Sequence, residues 1–257
     1  MMAREVRYTR FDIDMVSNAR QQYSLPEGYR WIREEPWAKV LYRVSYPFYW
    51  TIAQVYLRLV KGVRFKGRRV LRCLGRGQGA FVYGNHTMTT GDALTPVLCK
   101  PWRRNWAVCS PANFGIPVLG PLLRWFGALP TADSLSELAE MSEAVRRRAL
   151  SGGVVTIYPE AHLWPYCTFV RPLTEAAFHY PVATGLPSFV AVTTYTRRKV
   201  GKKPKITIYY DGPFYPRPDL PVRERRRSLA SDVGAAMERY ARLSNCEYIK
   251  YIKDETE

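Results

Sequence analysis

The chain has 257 residues, 47% of them hydrophobic, which excludes a disordered polymer and suits one large α/β domain or two small ones. Lys and Arg number 39 against 22 Asp and Glu, a formal net charge of +17 that points to an anionic partner: nucleic acid, a phospholipid surface or a phosphorylated substrate. The cysteines at 73, 99, 109, 167 and 246 are odd in number and irregularly spaced, so they read as reduced thiols, and none stands with histidine at zinc-ligand spacing.

In chain order, residues 1–35 are polar, show no signal-peptide pattern and read as an N-terminal extension. Residues 36–62 read as helical and aromatic. Within them "VSYPFYWTIAQVYL", Val44 to Leu57, is free of charge and bracketed by Arg43 and Arg58. As a helix it would span roughly 21 Å, too short for a bilayer core of about 30 Å. It is expected instead to lie in a membrane interface, with Trp37, Tyr42, Tyr46, Phe48, Tyr49, Trp50 and Tyr56 at headgroup level and Arg43, Arg58 and Lys61 beside them. The alternative is a helix packed on the domain's own core.

"GRRVLRCLGRGQGA" (67–80) reads as a turn or small strand. Its glycines precede the next strand rather than follow one, so it is no dinucleotide fingerprint. From there the pattern alternates. Strands are predicted at 80–84, 105–110, 154–159, 188–196 and 205–212, and helices at 90–99, 116–129, 134–153, 174–185 and 223–243. Ser134 is the cap of its helix, which closes on arginines and a glycine pair. The expected fold class is α/β: a mostly parallel central sheet flanked by helices, preceded by an amphipathic membrane-docking segment. Residues 1–62 are assigned to that extension and 63–257 to one domain.

Two polar points stand at predicted strand ends, where ligands gather in open α/β sheets. "YGNHTMTTGD" (83–92) puts His86 after the first strand and Asp92 six positions on. "IYPEAHLWPY" (157–166) puts Glu160 and Ala161 after the apolar run at 154–158. A histidine so placed can serve as a base when a neighbour orients its other ring nitrogen.

Asn85-His86, Asp92 and Tyr158-Pro159-Glu160 together resemble the lysophosphatidate (glycerolipid) acyltransferase family, which has a histidine, four residues and an aspartate after its first strand, and a later aromatic-Pro-Glu-Gly stretch. "FGIPVLGPLLRWFGAL" (114–129) and "TEAAFHYPVATGLPSFVAVTTY" (174–195) extend the similarity over about residues 63–215. Three departures stand out. Five residues, not four, separate His86 from Asp92, with Gly91 able to absorb the extra one. Ala132 and Asp133 occupy the place of a basic residue, and Glu160-Ala161-His162-Leu163 replaces Glu-Gly-Thr-Arg. Arg124 and Arg171 are substitutes by proximity for the missing phosphate-binding arginines.

The resemblance implies transfer of a fatty acyl group from a thioester, acyl-CoA or acyl-carrier protein, to the hydroxyl of a lysophospholipid such as 1-acylglycerol-3-phosphate. His86 would be the general base and Asp92 its orienting carboxylate. Glu160, Ala161, Arg124 and Arg171 would lie on the substrate side, Glu160 either touching the acceptor or holding its loop, with backbone N–H groups at a helix start or in the loop near Ala161 facing the oxyanion. It implies no metal and no cofactor. An anionic membrane surface is the expected partner, with the protein peripheral on the cytoplasmic side of the cell membrane. The competing readings are an inactive lipid-binding relative and a basic nucleic-acid-binding protein, the latter lacking any recognised signature.

Overall fold

The computed structural model describes residues 4–16, 23–100, 104–132 and 134–254. Seven strands form the main sheet: β2 (Arg64–Lys66), β3 (Ala80–Gly84), β4 (Asn105–Cys109), β5 (Ala128–Pro130), β6 (Val154–Ile157), β7 (Ser188–Thr196) and β8 (Lys205–Phe214), in the order β2-β8-β7-β3-β6-β4-β5. Every neighbouring pair is parallel except β7–β8. The helices are α1 (Pro36–Gln54), α2 (Gly91–Leu94), α3 (Leu119–Leu123), α4 (Leu135–Leu150), α5 (His179–Thr184) and α6 (Val222–Ala241). The fold class is therefore α/β with a mostly parallel central sheet, as the alternation of elements predicts.

The central strands are buried on both faces, which is why they read as unbroken apolar runs. Successive side chains point to opposite faces. Phe81, Tyr83, Val155, Ile157, Val190 and Val192 meet Met141, Val145, Val233 and Met237 of α4 and α6. Ala80, Val82, Val154, Phe189 and Ala191 lie in the opposite layer with Tyr49, Ala53 and Leu57. α4 starts where its cap predicts: Ser134 Oγ accepts from the Glu137 N–H at 3.3 Å and the Glu137 carboxylate accepts from the Ser134 N–H at 3.2 Å.

α1 presents apolar side chains on both sides. It runs on through a π-helical turn at Val55–Val60. Ala38, Tyr42, Tyr49, Ala53 and Leu57, spaced by four or seven, face the core. Trp37, Val40, Val44, Phe48, Ile52, Val55 and Leu59, spaced by three or four, face solvent. The aromatic set expected at an interface is thus divided. Trp37 and Phe48 are exposed, Tyr42 and Tyr49 are buried, and Tyr46, Trp50 and Tyr56 are half-buried. The Tyr49 ring stacks on Phe126 at 4.4 Å and its hydroxyl donates to the Ala93 carbonyl, so it belongs to the core. No helix among the described residues is long and apolar enough to cross a membrane.

Three predicted helices are shorter than their periodicity suggests. Residues 116–129 break into α3, a 3-10 turn at Arg124–Phe126 and β5, because Gly127 enters the left-handed region at φ 92°. Residues 174–185 split into a 3-10 turn and α5, and 90–99 into α2 and another 3-10 turn. Residues 1–35 are tied to the rest. β1 (Arg4–Tyr8) pairs in parallel with β9 (Ile249–Lys253), and Tyr29 and Trp31 are core residues.

Candidate active site

β3 ends at Gly84, and the next residues are fixed by side-chain substitutes for a ladder. The Asn85 amide donates to the Thr193 carbonyl at 2.9 Å and accepts from the Thr193 N–H at 2.8 Å, so it carries the β3–β7 pairing one residue further. The Tyr195 hydroxyl donates to the Thr87 carbonyl at 3.0 Å. His86 is held between these two anchors. α2 begins at Gly91, and the Asp92 N–H donates to the Met88 carbonyl at 3.0 Å. The same turn brings Asp92 Oδ2 to the Met88 N–H at 2.9 Å and to His86 Nδ1 at 2.7 Å. The late start of α2 at Gly91 absorbs the fifth intervening residue.

Asp92 is buried and His86 is a quarter exposed, at 24% of its side chain. A carboxylate only accepts, so the bonded Nδ1 carries a proton, and in the neutral ring this tautomer leaves the lone pair on Nε2. Nε2 has no hydrogen-bond partner among the described residues. The Tyr158 ring stacks on the imidazole with centroids 4.6 Å apart, and its hydroxyl donates to the Asp92 carbonyl at 2.6 Å. Burial pushes the Tyr158 phenol well above its ordinary range, with the Asp92 charge adding to it, so it stays a donor. Gly84 makes room for that ring: a Cβ there would stand 2.8 Å from Tyr158 Cε1.

Glu160 follows β6 and turns inward. Oε2 accepts from the His86 backbone N–H at 3.0 Å and from Arg171 Nη2 at 2.5 Å, while Oε1 accepts from the Arg171 N–H at 3.1 Å. Arg171 Nη2 also reaches the carbonyls of His86, at 3.3 Å, and His162. The guanidinium lies over the Trp164 indole at 4.9 Å. The side chains of Arg171 and Glu160 are 1% and 0% exposed. Burial pushes the Glu160 carboxyl above the usual carboxylate range, against the opposing pull of Arg171 and of the two N–H donors. The pair therefore grips the backbone of His86 from below and leaves Arg171 no surface for a substrate phosphate.

Arg124 stands elsewhere, stacked over Tyr29 at 5.2 Å, with no hydrogen bond or ion pair to His86, Asp92 or Glu160. Ala161 is exposed and left-handed, at φ 63°. Its N–H donates to the Tyr158 carbonyl at 3.0 Å and the His162 N–H to the Glu160 carbonyl at 2.8 Å. These two donors are spent inside the turn, contrary to the expectation of an oxyanion site there. Ala132 is half-buried beside the core, and Asp133 lies outside the described residues. No group of three His, Cys, Asp or Glu side chains is placed to hold a metal among the described residues.

Sequence reasoning passed over Trp164, which orders this loop. The indole Nε1–H donates to the Ile13 carbonyl at 2.8 Å, and the ring packs on Tyr8, Phe11 and Tyr251. Its Trp-Pro pairing was the available signal.

A predominantly parallel sheet with a part-exposed His–Asp pair at the carboxyl end of a central strand defines an open α/β fold with a polar pair at the end of the sheet where ligands gather in such folds. No protein-family model and no curated protein sequence matches the chain. Five chains of solved structure match it. One is the 1-acyl-sn-glycerophosphate (LPA) acyltransferase PlsC from Thermotoga maritima, with a TM-score of 0.54 and 14% identity over 81% of this chain and 84% of that one. The likeness shows the fold.

Proposed function

We propose that this protein is an O-acyltransferase that moves a fatty acyl group from a thioester to the hydroxyl of a lysophospholipid. The observation that carries the reading is the 2.7 Å contact between His86 Nδ1 and Asp92 Oδ2 at the end of β3, in a fold that PlsC shares. An alcohol is a weak nucleophile at neutral pH, so Nε2 of His86 takes its proton as the oxygen attacks the thioester carbon. Asp92 holds the tautomer and offsets the charge of the imidazolium. The oxyanion then collapses, the C–S bond breaks, and the imidazolium returns its proton to the leaving thiolate. Glu160 and Arg171 keep the His86 backbone in place. The donor is acyl-CoA or acyl-carrier protein, and 1-acylglycerol-3-phosphate is the first acceptor to try.

We also assign the protein to the cytoplasmic face of the cell membrane as a peripheral enzyme. The exposed stripe of α1, from Val40 to Leu59, supports this. Each such side chain is worth roughly 1–2 kcal/mol on entering an apolar phase. Val118, Leu119 and Leu122 are exposed too, and Trp125 of the adjoining turn packs on Trp37 of α1 with ring centroids 5.8 Å apart.

The test offers both donors with a panel of lysophospholipids to the wild type and to His86→Ala. Transfer by the wild type that falls by about 10²-fold or more in the variant is expected. No transfer by the wild type to any acceptor refutes the reading.

A further inference from the structure

The chain contains no acidic residue from position 36 to 91, nor from 176 to 210. The fold brings parts of these two acid-free segments together at the His86 end of the sheet. β7 pairs with β3 as far as Gly84↔Ala191 and then runs on to Thr196. At about 3.3 Å per residue this extension carries the β7–β8 turn roughly 16 Å beyond Gly84. The turn holds Arg197, Arg198, Lys199, Lys202 and Lys203, all exposed. β2 starts at the same end, since Arg64 pairs with Thr207. The end of α1 adjoins the turn: the Arg198 guanidinium comes within 3.4 Å of the point where a side chain on Gly62 would begin. Arg58, Lys61, Arg64, Lys66 and Arg68 lie on this side, and neither they nor the turn's cations have an ion-pair partner among the described residues. Aliphatic tips stand out between the charges, with Leu59 78%, Val60 67% and Val200 86% exposed.

We propose that the β7–β8 turn, with the π-helical end of α1 beside it, is an anchor for anionic phospholipid. The observations favour a bilayer over a soluble polyanion because exposed Leu and Val tips amid unpaired cations match an interface with both phosphates and acyl chains. A nucleic acid gives those aliphatic groups nothing to enter. Docked by this pole, the protein turns the carboxyl end of its sheet, with His86, to the headgroups. The anchor rests on the acyltransferase reading only for its purpose, and it is tested without any turnover.

The full-length protein is sedimented with phosphatidylcholine vesicles with and without phosphatidylglycerol. Three forms are compared: the wild type, the turn variant Arg198→Gln/Lys199→Gln/Lys202→Gln, and a charge-matched control, Arg223→Gln/Arg226→Gln/Arg227→Gln. α6 ends near the turn, where the Asn245 side chain accepts from the Arg197 N–H at 2.9 Å, and the control lies at the other end of this 20-residue helix, about 30 Å away by helix length. Binding of the wild type is expected to require phosphatidylglycerol and to weaken with salt. The turn variant loses about a hundredfold in partitioning, at about fivefold per cation, while the control loses less than a third of that factor. Equal losses in the two variants would reduce the effect to net charge and overturn the proposal, as would indifference to phosphatidylglycerol. Tighter binding to a single-stranded oligonucleotide than to these vesicles would overturn it in favour of nucleic acid. A wild type that binds as expected but transfers no acyl group sinks the acyltransferase reading and leaves the anchor standing.

Discussion

Arg171→Met tests the buried clasp beneath His86. The substitution keeps an unbranched stem over Trp164 and both backbone N–H groups that bond Glu160. It removes the one cation at 2.5 Å from Oε2 and the donor to the carbonyls of His86 and His162. Breaking a buried ion pair by removing one partner costs roughly 3–5 kcal/mol. The bonds from the N–H groups of His86 and Arg171 survive, which sets the expected loss at the lower end, about 3 kcal/mol. That is a large share of the roughly 5–15 kcal/mol that holds a domain together. Adding Glu160→Gln removes the stranded charge and leaves an amide that can still accept an N–H. The double variant should lie within about 1 kcal/mol of the wild type, a coupling of at least ~2 kcal/mol. Urea denaturation with linear extrapolation measures all four corners of the cycle. A loss under about 1 kcal/mol for Arg171→Met, or a double variant equal to the sum of the singles, would show that the two side chains do not act as a pair.

Asp92→Asn is expected to leave the fold intact and lower acyl transfer by about 10²–10⁴-fold, because the amide no longer fixes the imidazole tautomer; unchanged turnover would remove Asp92 from the mechanism. Ala161→Gly relieves a left-handed alanine and should stabilise the protein by roughly 0.5–1 kcal/mol in a thermal melt, against no change if the strain is absent. Ser134→Ala removes the cap of α4 and should cost about 1 kcal/mol by the same measurement. Glu143 is held down at about 2 by its bonds to Arg146 and Arg147, so its contribution to stability is present above the unfolded carboxyl range near 4.5 and is lost as pH falls toward 2. Glu143→Gln should flatten the acid-side loss of stability in that window, and an identical acid limb would contradict the assignment.

The sheet was legible because β3, β6 and β7 are buried on both faces, and such strands write themselves as continuous apolar runs. His86 and Glu160 stood out as polar residues at the ends of two of those runs. Other features depend on partners that no local pattern reveals. β1 and β9, "REVRY" and "IKYIK", are short and charged, and each is a strand only because the other exists some 245 positions away. α1 is apolar on both sides, so periodicity could not say whether Tyr49 or Phe48 meets the core. Arg171 reads as one more cation in a basic chain. Its inward turn follows from the carboxylate that β6 delivers and the indole it stacks on.

The loop that secures His86 is gripped by two segments far apart in the sequence, one before β2 and one at β9. Asp14 Oδ1 accepts from the Leu163 N–H at 2.6 Å, and the Tyr251 hydroxyl donates to the Pro165 carbonyl at 2.8 Å. During synthesis the first grip can form as soon as residue 163 leaves the ribosome, but the second must wait for residue 251. The fastening of this loop is thus completed after every element of the main sheet is available. A nascent chain stalled before β9 would carry His86 beside Asp92 with the Asp14 bond to this loop available and the Tyr251 bond missing.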